Sequence, residues 1–165
     1  MVGQVDNGSA AVGRQRFLAD AAERGLDVQL VERLAARSLE EAAGILGITP
    51  ADIVKSLVVK RKDGTFLFAL IPGDRQISWP KLRTLVGVNK LSLPSADVAF
   101  DATGYERGTI TPLGSTTAWP VYADATIAGR HISMGAGEHG YGAFVDADAL
   151  TAALGAVVAD ISEPN

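Results

Sequence analysis

From residue 14 onward the chain switches repeatedly between helical and strand period. Phe17, Leu18, Ala21 and Ala22 share one helical face over 14–24, and Gly25 follows as a stop. Residues 28–34 read as a short strand. Ser38, with Glu41 three positions on, opens a helix in the capping-box pattern, and Gly47 closes it. Thr49-Pro50 starts a further turn with proline at the first helical position. The run 53–59 is apolar except for Lys55 and Ser56, and its β-branched residues predict a strand over 56–61. Lys62-Asp63-Gly64 predicts a hairpin turn into 65–71, the strongest strand pattern of the chain.

Beyond Pro72-Gly73-Asp74, Ser78-Trp79-Pro80 opens a helix that runs to Gly87, and 90–93 is a short strand. Residues 95–103 are helical, with Gly104 as the stop. A strand over 118–123 contains Pro120, which suggests an edge or a bulge. Residues 130–134 and 141–145 are two strands around a glycine-rich loop, Asp146 caps a helix over 147–154, and 157–161 form a last strand. Helices and strands mix without a steady βαβ rhythm and without an internal repeat, so the expected class is α+β.

Composition narrows the function. The chain is 165 residues long, 47% hydrophobic and 21% charged, as expected of one globular domain with a real core. The first thirteen residues have neither the basic start nor the apolar block of a signal peptide, and no apolar run approaches the ~20 residues that span a bilayer. The expectation is a flexible tail over 1–13, a single domain over 14–165, no membrane partner and a cytoplasmic location. With no cysteine, disulfides, cysteine metal sites and a cysteine nucleophile are excluded. Net charge is −4, but residues 55–90 carry +6 and the remainder −10. That asymmetry suggests a basic patch able to meet phosphates, against the simpler reading of solvated faces pointing several ways.

Several chemistries fail on spacing. Gly135-Ala136-Gly137-Glu138-His139-Gly140 matches G-x-G-x-x-G, but a strand pattern follows it where the dinucleotide motif needs a helix. His131 and His139 fit no zinc spacing, and no G-x-S-x-G elbow is present. The stretch Gly104-Tyr105-Glu106-Arg107-Gly108-Thr109-Ile110-Thr111-Pro112-Leu113-Gly114 stands out instead. Its glycines admit unusual backbone angles and close approach, and Pro112 shapes the loop. Such a loop suits backbone N–H donation to an oxygen-rich ligand, although an ordinary turn has the same composition. Lys55 inside an apolar run is costly unless it faces water or a ligand; the plainer reading is a snorkelling lysine at a helix-to-strand junction.

In series, Ala51-Asp52-Ile53-Val54-Lys55-Ser56-Leu57-Val58-Val59, Pro72-Gly73-Asp74-Arg75, Gly104-Tyr105 and Gly108-x-x-x-Pro112-Leu113-Gly114 resemble the YbaK/EbsC family, the prolyl-tRNA-synthetase-associated editing domain. The similarity runs over roughly 22–161. It implies an α+β fold with a mixed, partly barrel-like β-sheet and surrounding helices. The implied activity is metal-independent, cofactor-free hydrolysis of the ester of a mischarged aminoacyl-tRNA, often tRNA(Pro). The implied catalytic positions are Lys55, Gly108 and Pro112; the implied substrate-binding positions are Thr109, Ile110, Thr111, Leu113, Gly114, Ser133, Gly135 and Gly137. Partners would be the aminoacyl-tRNA acceptor end and, in some cases, a synthetase.

The second loop is longer than the pattern of the cysteinyl-tRNA(Pro) deacylases, and Gly142 stands where they carry an aspartate. Cysteine specificity is thereby put in question, leaving alanine, serine, threonine or another residue. The residues themselves fit such chemistry: an activated ester needs orientation, charge stabilisation and a positioned water rather than a strong nucleophile. Lys55 would bind the terminal phosphate or ribose, or offset an oxyanion, with N–H groups of residues 108–111 on the carbonyl oxygen. The alternative is a non-catalytic module that keeps the pocket and engages tRNA or a synthetase.

Overall fold

A computed structural model describes residues 12–165. Of the expected tail, 1–11 lie outside the described residues, and Gly13 opens the first helix. The helix α1 (Gly13–Glu23) buries Phe17 and Ala21, and β1 (Gln29–Glu32) follows. In α2 (Leu39–Leu46), the Ser38 hydroxyl accepts from the Glu41 N–H at 3.0 Å, and Glu41 reaches back to the Arg37 N–H. A 3-10 turn, Pro50–Asp52, leads into β2 (Val54–Arg61), which turns into β3 (Phe66–Pro72). Next come β4 (Arg75–Ile77), α3 (Trp79–Val86), β5 (Leu91–Ser92) and α4 (Ala96–Thr103). The chain ends with β6 (Val121–Asp124), β7 (His131–Gly135), β8 (Tyr141–Asp146), α5 (Ala147–Leu154), β9 (Val157–Ala159) and β10 (Ser162–Pro164).

The apolar continuity of β3 has a direct cause: both of its faces are covered. It lies inside a mixed sheet of order β5-β2-β3-β6-β9, antiparallel to β2 and parallel to β6. Val54, Val58, Phe68 and Leu70 point to a core shared with Phe17, Ile132, Met134, Val145 and Leu150. Val59, Leu67, Ala69 and Ile71 point to a second core with Ile77, Leu82 and Ile161. A three-stranded sheet, β1-β8-β7, packs against the first face, and a ribbon of β4 with β10 borders the second. Among the described residues the two larger sheets are joined by one parallel bridge, Ile53 to Ser133, and form no closed barrel. The fold is α+β, as expected.

Three local expectations are corrected. The strand β2 begins at Val54, so Lys55 belongs to the sheet rather than to a helix–strand junction. Pro120 precedes β6, and β6 is an interior strand between β3 and β9. The proline contributes only its carbonyl, which accepts from the Phe68 N–H at 2.8 Å, so its missing donor costs nothing there. The strand expected over 157–161 ends at Ala159 as β9, and a further strand, β10, follows beyond it and pairs with β4, itself unanticipated.

Candidate functional site

The register of the β2–β3 ladder determines what β2 offers on its other side. The Arg61 N–H donates to the Thr65 carbonyl, so alternate residues from Arg61 back to Lys55 bond to β3. Lys60, Val58 and Ser56 turn their main-chain groups to the opposite edge. There Lys60 meets β5, but β5 pairs only with Lys60 and Arg61. Along 53–58 the edge borders a cavity of about 490 Å³. From 53 to 58 are five steps of extended chain at ~3.3 Å each, roughly 17 Å.

The two ends of this cavity differ. At the Val58 end lie Leu93, Pro94 and Ser95, on the segment joining β5 to α4. At the Ile53 end lie Arg33 and Gly135, tied to Ile53 through the bridge to Ser133. Gly108 and Ile110 also contribute to the wall. Arg33, Lys55 and Arg107 are lining residues, and no aspartate or glutamate is among them. Three basic residues and no acidic one thus line the cavity, on a chain whose net charge is negative.

Lys55 is half-buried, and its ammonium donates to the Arg75 carbonyl at 2.7 Å. Burial lowers its pKa below the ordinary lysine range, and the charge of Asp74 partly opposes that shift. The Arg75 carbonyl is itself fixed. Its side chain donates from Nε to Ser162 Oγ at 2.6 Å, and Ser162 hydrogen-bonds the buried Asp124. The β4–β10 ribbon thus positions Lys55, spending one of its three N–H donors.

The loop 104–114 is held shut at its base. Arg16 donates to the Gly104 carbonyl at 2.9 Å and to the Gly114 carbonyl at 3.3 Å, and lies 4.5 Å over the Tyr105 ring. Tyr105 is buried inside the loop and donates to the Leu113 carbonyl at 2.8 Å; burial pushes its phenol up to about 12. Thr109 spends both its N–H and its hydroxyl on the Glu106 carbonyl. The N–H groups of Gly108 and Ile110 have no protein acceptor among the described residues. Gly108 has φ 90, which a residue with a Cβ rarely adopts.

The cavity thus brings together Lys55, Gly108, Ile110 and Gly135. Thr109, Thr111, Pro112 and Leu113 are buried beneath the loop and are not part of the wall. Gly114 and Gly137 lack side chains for packing reasons. A Cβ at Gly114 would meet Tyr105 Oη at 2.4 Å, and one at Gly137 would meet Tyr105 Cε1 at 2.6 Å. Ser133 is fully buried, and its hydroxyl accepts from Arg33 Nη2 at 2.6 Å.

Sequence reasoning passed over Arg33, Ser56 and Arg107. Arg33 looked like one more residue on a short strand. Its signal was Gly142, where a Cβ would lie 2.1 Å from Arg33 Nε: the glycine is the space the guanidinium fills. Burial lowers the Arg33 pKa from its ordinary value. His139 faces Glu106 at 3.3 Å on the exposed surface, and among the described residues no three His, Cys, Asp or Glu side chains gather as metal ligands. No described helix is long and apolar enough to cross a membrane.

A family model for the aminoacyl-tRNA editing domain matches residues 34–153, well over half of the chain. The proline–tRNA ligase of Bacillus licheniformis is 31% identical over 101 residues, 61% of this chain and 18% of the ligase. That of Kosmotoga olearia is 32% identical over 115 residues, 69% of this chain and 20% of the ligase. The chain therefore spans about a fifth of the length of these relatives. A crystal structure of a candidate trans-editing enzyme for prolyl tRNA synthetase superposes with a TM-score of 0.82 at 29% identity, covering 94% of this chain and 99% of that one.

Proposed function

The chain belongs to the aminoacyl-tRNA editing domain family, and from that premise we propose that it is a trans-acting, metal-independent deacylase. Its substrate is a mischarged tRNA, tRNA(Pro) first among the candidates, carrying a small amino acid. The observation that carries this reading is the cavity along the free edge of β2, which has three cationic lining residues, no carboxylate, and two unspent loop N–H groups. A cavity of that charge suits the terminal phosphate of an acceptor end. Its length suits a nucleoside with an amino acid attached.

In the reaction a water oxygen bonds to the ester carbon, the bond from that carbon to the ribose oxygen breaks, and the ribose oxygen takes up a proton. Charge builds on the carbonyl oxygen in between. The Gly108 and Ile110 N–H groups are the donors available to it, and Lys55 supplies positive charge with the two N–H donors it has not spent. Pro112 acts from beneath, by holding the loop's shape.

The bond from Lys55 to the Arg75 carbonyl favours one other reading, a module that binds acceptor ends without cleaving them. Single-turnover assays with alanyl-, seryl-, threonyl- and cysteinyl-tRNA(Pro), with tRNA(Ala) equivalents, separate the two. The deacylase releases at least one amino acid above the uncatalysed rate. Binding to all of them without release would leave the module.

A further inference from the structure

Arg33 presents a guanidinium that is fixed, partly desolvated and only half used. Nη2 donates to Ser133 Oγ at 2.6 Å and to the Met134 carbonyl at 3.1 Å, which sets the plane of the group. Nε is buried without a hydrogen-bond partner, and no bond or ion pair within the described residues engages Nη1. The hydroxyl of Ser56, another lining residue, is likewise buried without a partner. Desolvated donors left unmet are costly, and a neighbouring hydrocarbon does nothing to relieve them.

We propose that Arg33 is a specificity-determining residue whose unspent edge selects, among small aminoacyl groups, those with a side chain ending in an oxygen acceptor. The inference rests on the deacylase reading above and names the substrate class for that site.

Three features orient the substrate this way round. Arg33 and Gly135 mark one end of the cavity, and Leu93–Ser95 the other, so the phosphate and the amino-acid side chain have separate places. No lining carboxylate attracts the substrate's α-ammonium, and the Arg33 charge repels it, which leaves the side chain as the group that turns toward Arg33. That end is also closed off: a Cβ at Gly135 would lie 2.9 Å from the Ile110 carbonyl, so β7 and the loop meet there with no room between them for a side chain. A serine or threonine hydroxyl offers lone pairs to Nη1, and the carboxylate of aspartate would do so more strongly. Alanine or valine offers none. A site built to hydrogen-bond an acceptor rejects the partner that lacks it more effectively than an apolar pocket rejects an extra hydroxyl.

The test compares near-isosteric pairs, seryl against alanyl and threonyl against valyl, all on the same tRNA(Pro). Two variants join the wild type: Arg33→Met, which removes the donors, and Gly142→Ala, which keeps the charge but takes the space of Nε. The expected result is a preference of about tenfold or more in kcat/KM for the oxygen-bearing member of each pair in wild type, from one hydrogen bond to a charged group. Both variants bring the ratio toward one. The ratio is internal to each protein, so partial loss of folded material does not alter it. Equal rates on the two members in wild type overturn the proposal while the deacylase reading stands. A preference that survives in both variants, or a uniform fall on all four substrates as expected of a phosphate contact, also overturns it. Absence of hydrolysis on any substrate overturns both.

Discussion

The Lys55 ammonium is 2.7 Å from the main-chain carbonyl of Arg75, and that carbonyl is set by a chain of bonds through Ser162 to Asp124. The lysine is held by a backbone carbonyl, and Asp74 acts on it through its charge alone. Removing it should leave the sheet intact, since one hydrogen bond on a half-exposed side chain contributes about 1 kcal/mol. Lys55→Ala is expected to lower single-turnover deacylation by roughly 10²–10³-fold, as for the loss of one group stabilising developing charge. Circular dichroism should be unchanged. Full activity in a folded variant would remove Lys55 from the mechanism.

The two glycines of the cavity should fail for different reasons. A Cβ at Gly108 has space, its nearest neighbour being His139 Cε1 at 3.8 Å, but φ 90 must relax. Gly108→Ala should cost about 1–2 kcal/mol of loop geometry, roughly tenfold in rate. At Gly135 the backbone is ordinary and the contact is not, with the Ile110 carbonyl 2.9 Å away. Gly135→Ala should therefore push the loop off its position and reduce kcat more than Gly108→Ala does. The reverse order would place the loop's strain, not its packing, in control.

Six of the eight basic residues of the 55–90 segment fall into two groups. Lys55, Arg75 and Lys81 are engaged around the β4–β10 ribbon, Lys81 with Asp160 at 3.0 Å. Lys60, Arg61 and Lys62 stand at the β2–β3 turn, beyond the Val58 end of the cavity, with no ion pair among the described residues. If the acceptor stem leaves the cavity there, Arg61→Glu with Lys62→Glu should weaken tRNA binding. Each lost phosphate contact should lower the log–log salt slope by ~0.7–0.9. Arg83→Glu, on α3, serves as the comparison. Unchanged affinity in the double variant would make that end a solvated face.

Asp124 predicts the acid limit of the fold. Burial pushes its carboxyl up, but hydrogen bonds from Thr126, Ser162 and the Ile161 N–H outweigh that and hold it below the ordinary carboxylate value. Its contribution to stability is therefore complete above the unfolded value of about 4 and is lost as pH falls through the lower folded value. Asp124→Asn should cost about 2–3 kcal/mol at neutral pH, the scale of hydrogen bonds to a charged group. It should also flatten the loss of stability below pH ~4. Urea melts at several pH values read both effects. An unchanged acid limb would assign that limit to other carboxylates.

Much of this was legible because it is local. Ser38, Ser95 and Asp146 each cap the helix that their side chains announce, and Gly47, Gly87, Gly104 and Gly155 end theirs with positive φ. The β2–β3 pair declared itself by apolar run and turn. What escaped depends on partners distant in sequence. The strands β4 and β10 are three residues each and exist only by pairing with one another. Pro120 looked like a defect because the strand's start depends on which neighbour needs a carbonyl. Lys55, Gly108 and Gly135, positions that the resemblance implies, border one cavity. Pro112, Ser133 and Gly137, implied with them, are not among its lining residues. Small residues pack under a loop as readily as they line one. Arg33 could not be picked out because its meaning lies in the missing side chain of Gly142, far along the chain.

The bonds from Arg16 to the carbonyls of Gly104 and Gly114 have an entropic consequence. A segment rich in glycine has much freedom to lose, and ordering it at the moment of binding would subtract from affinity. Here the ends are pinned during folding, by a helix that lies before the 34–153 stretch shared with the family. The ligand then meets donors already aimed. α1 acts as a latch on preorganisation: loosening it, as in Arg16→Met, should leave the chemistry of the wall intact while making each binding event pay anew for loop order.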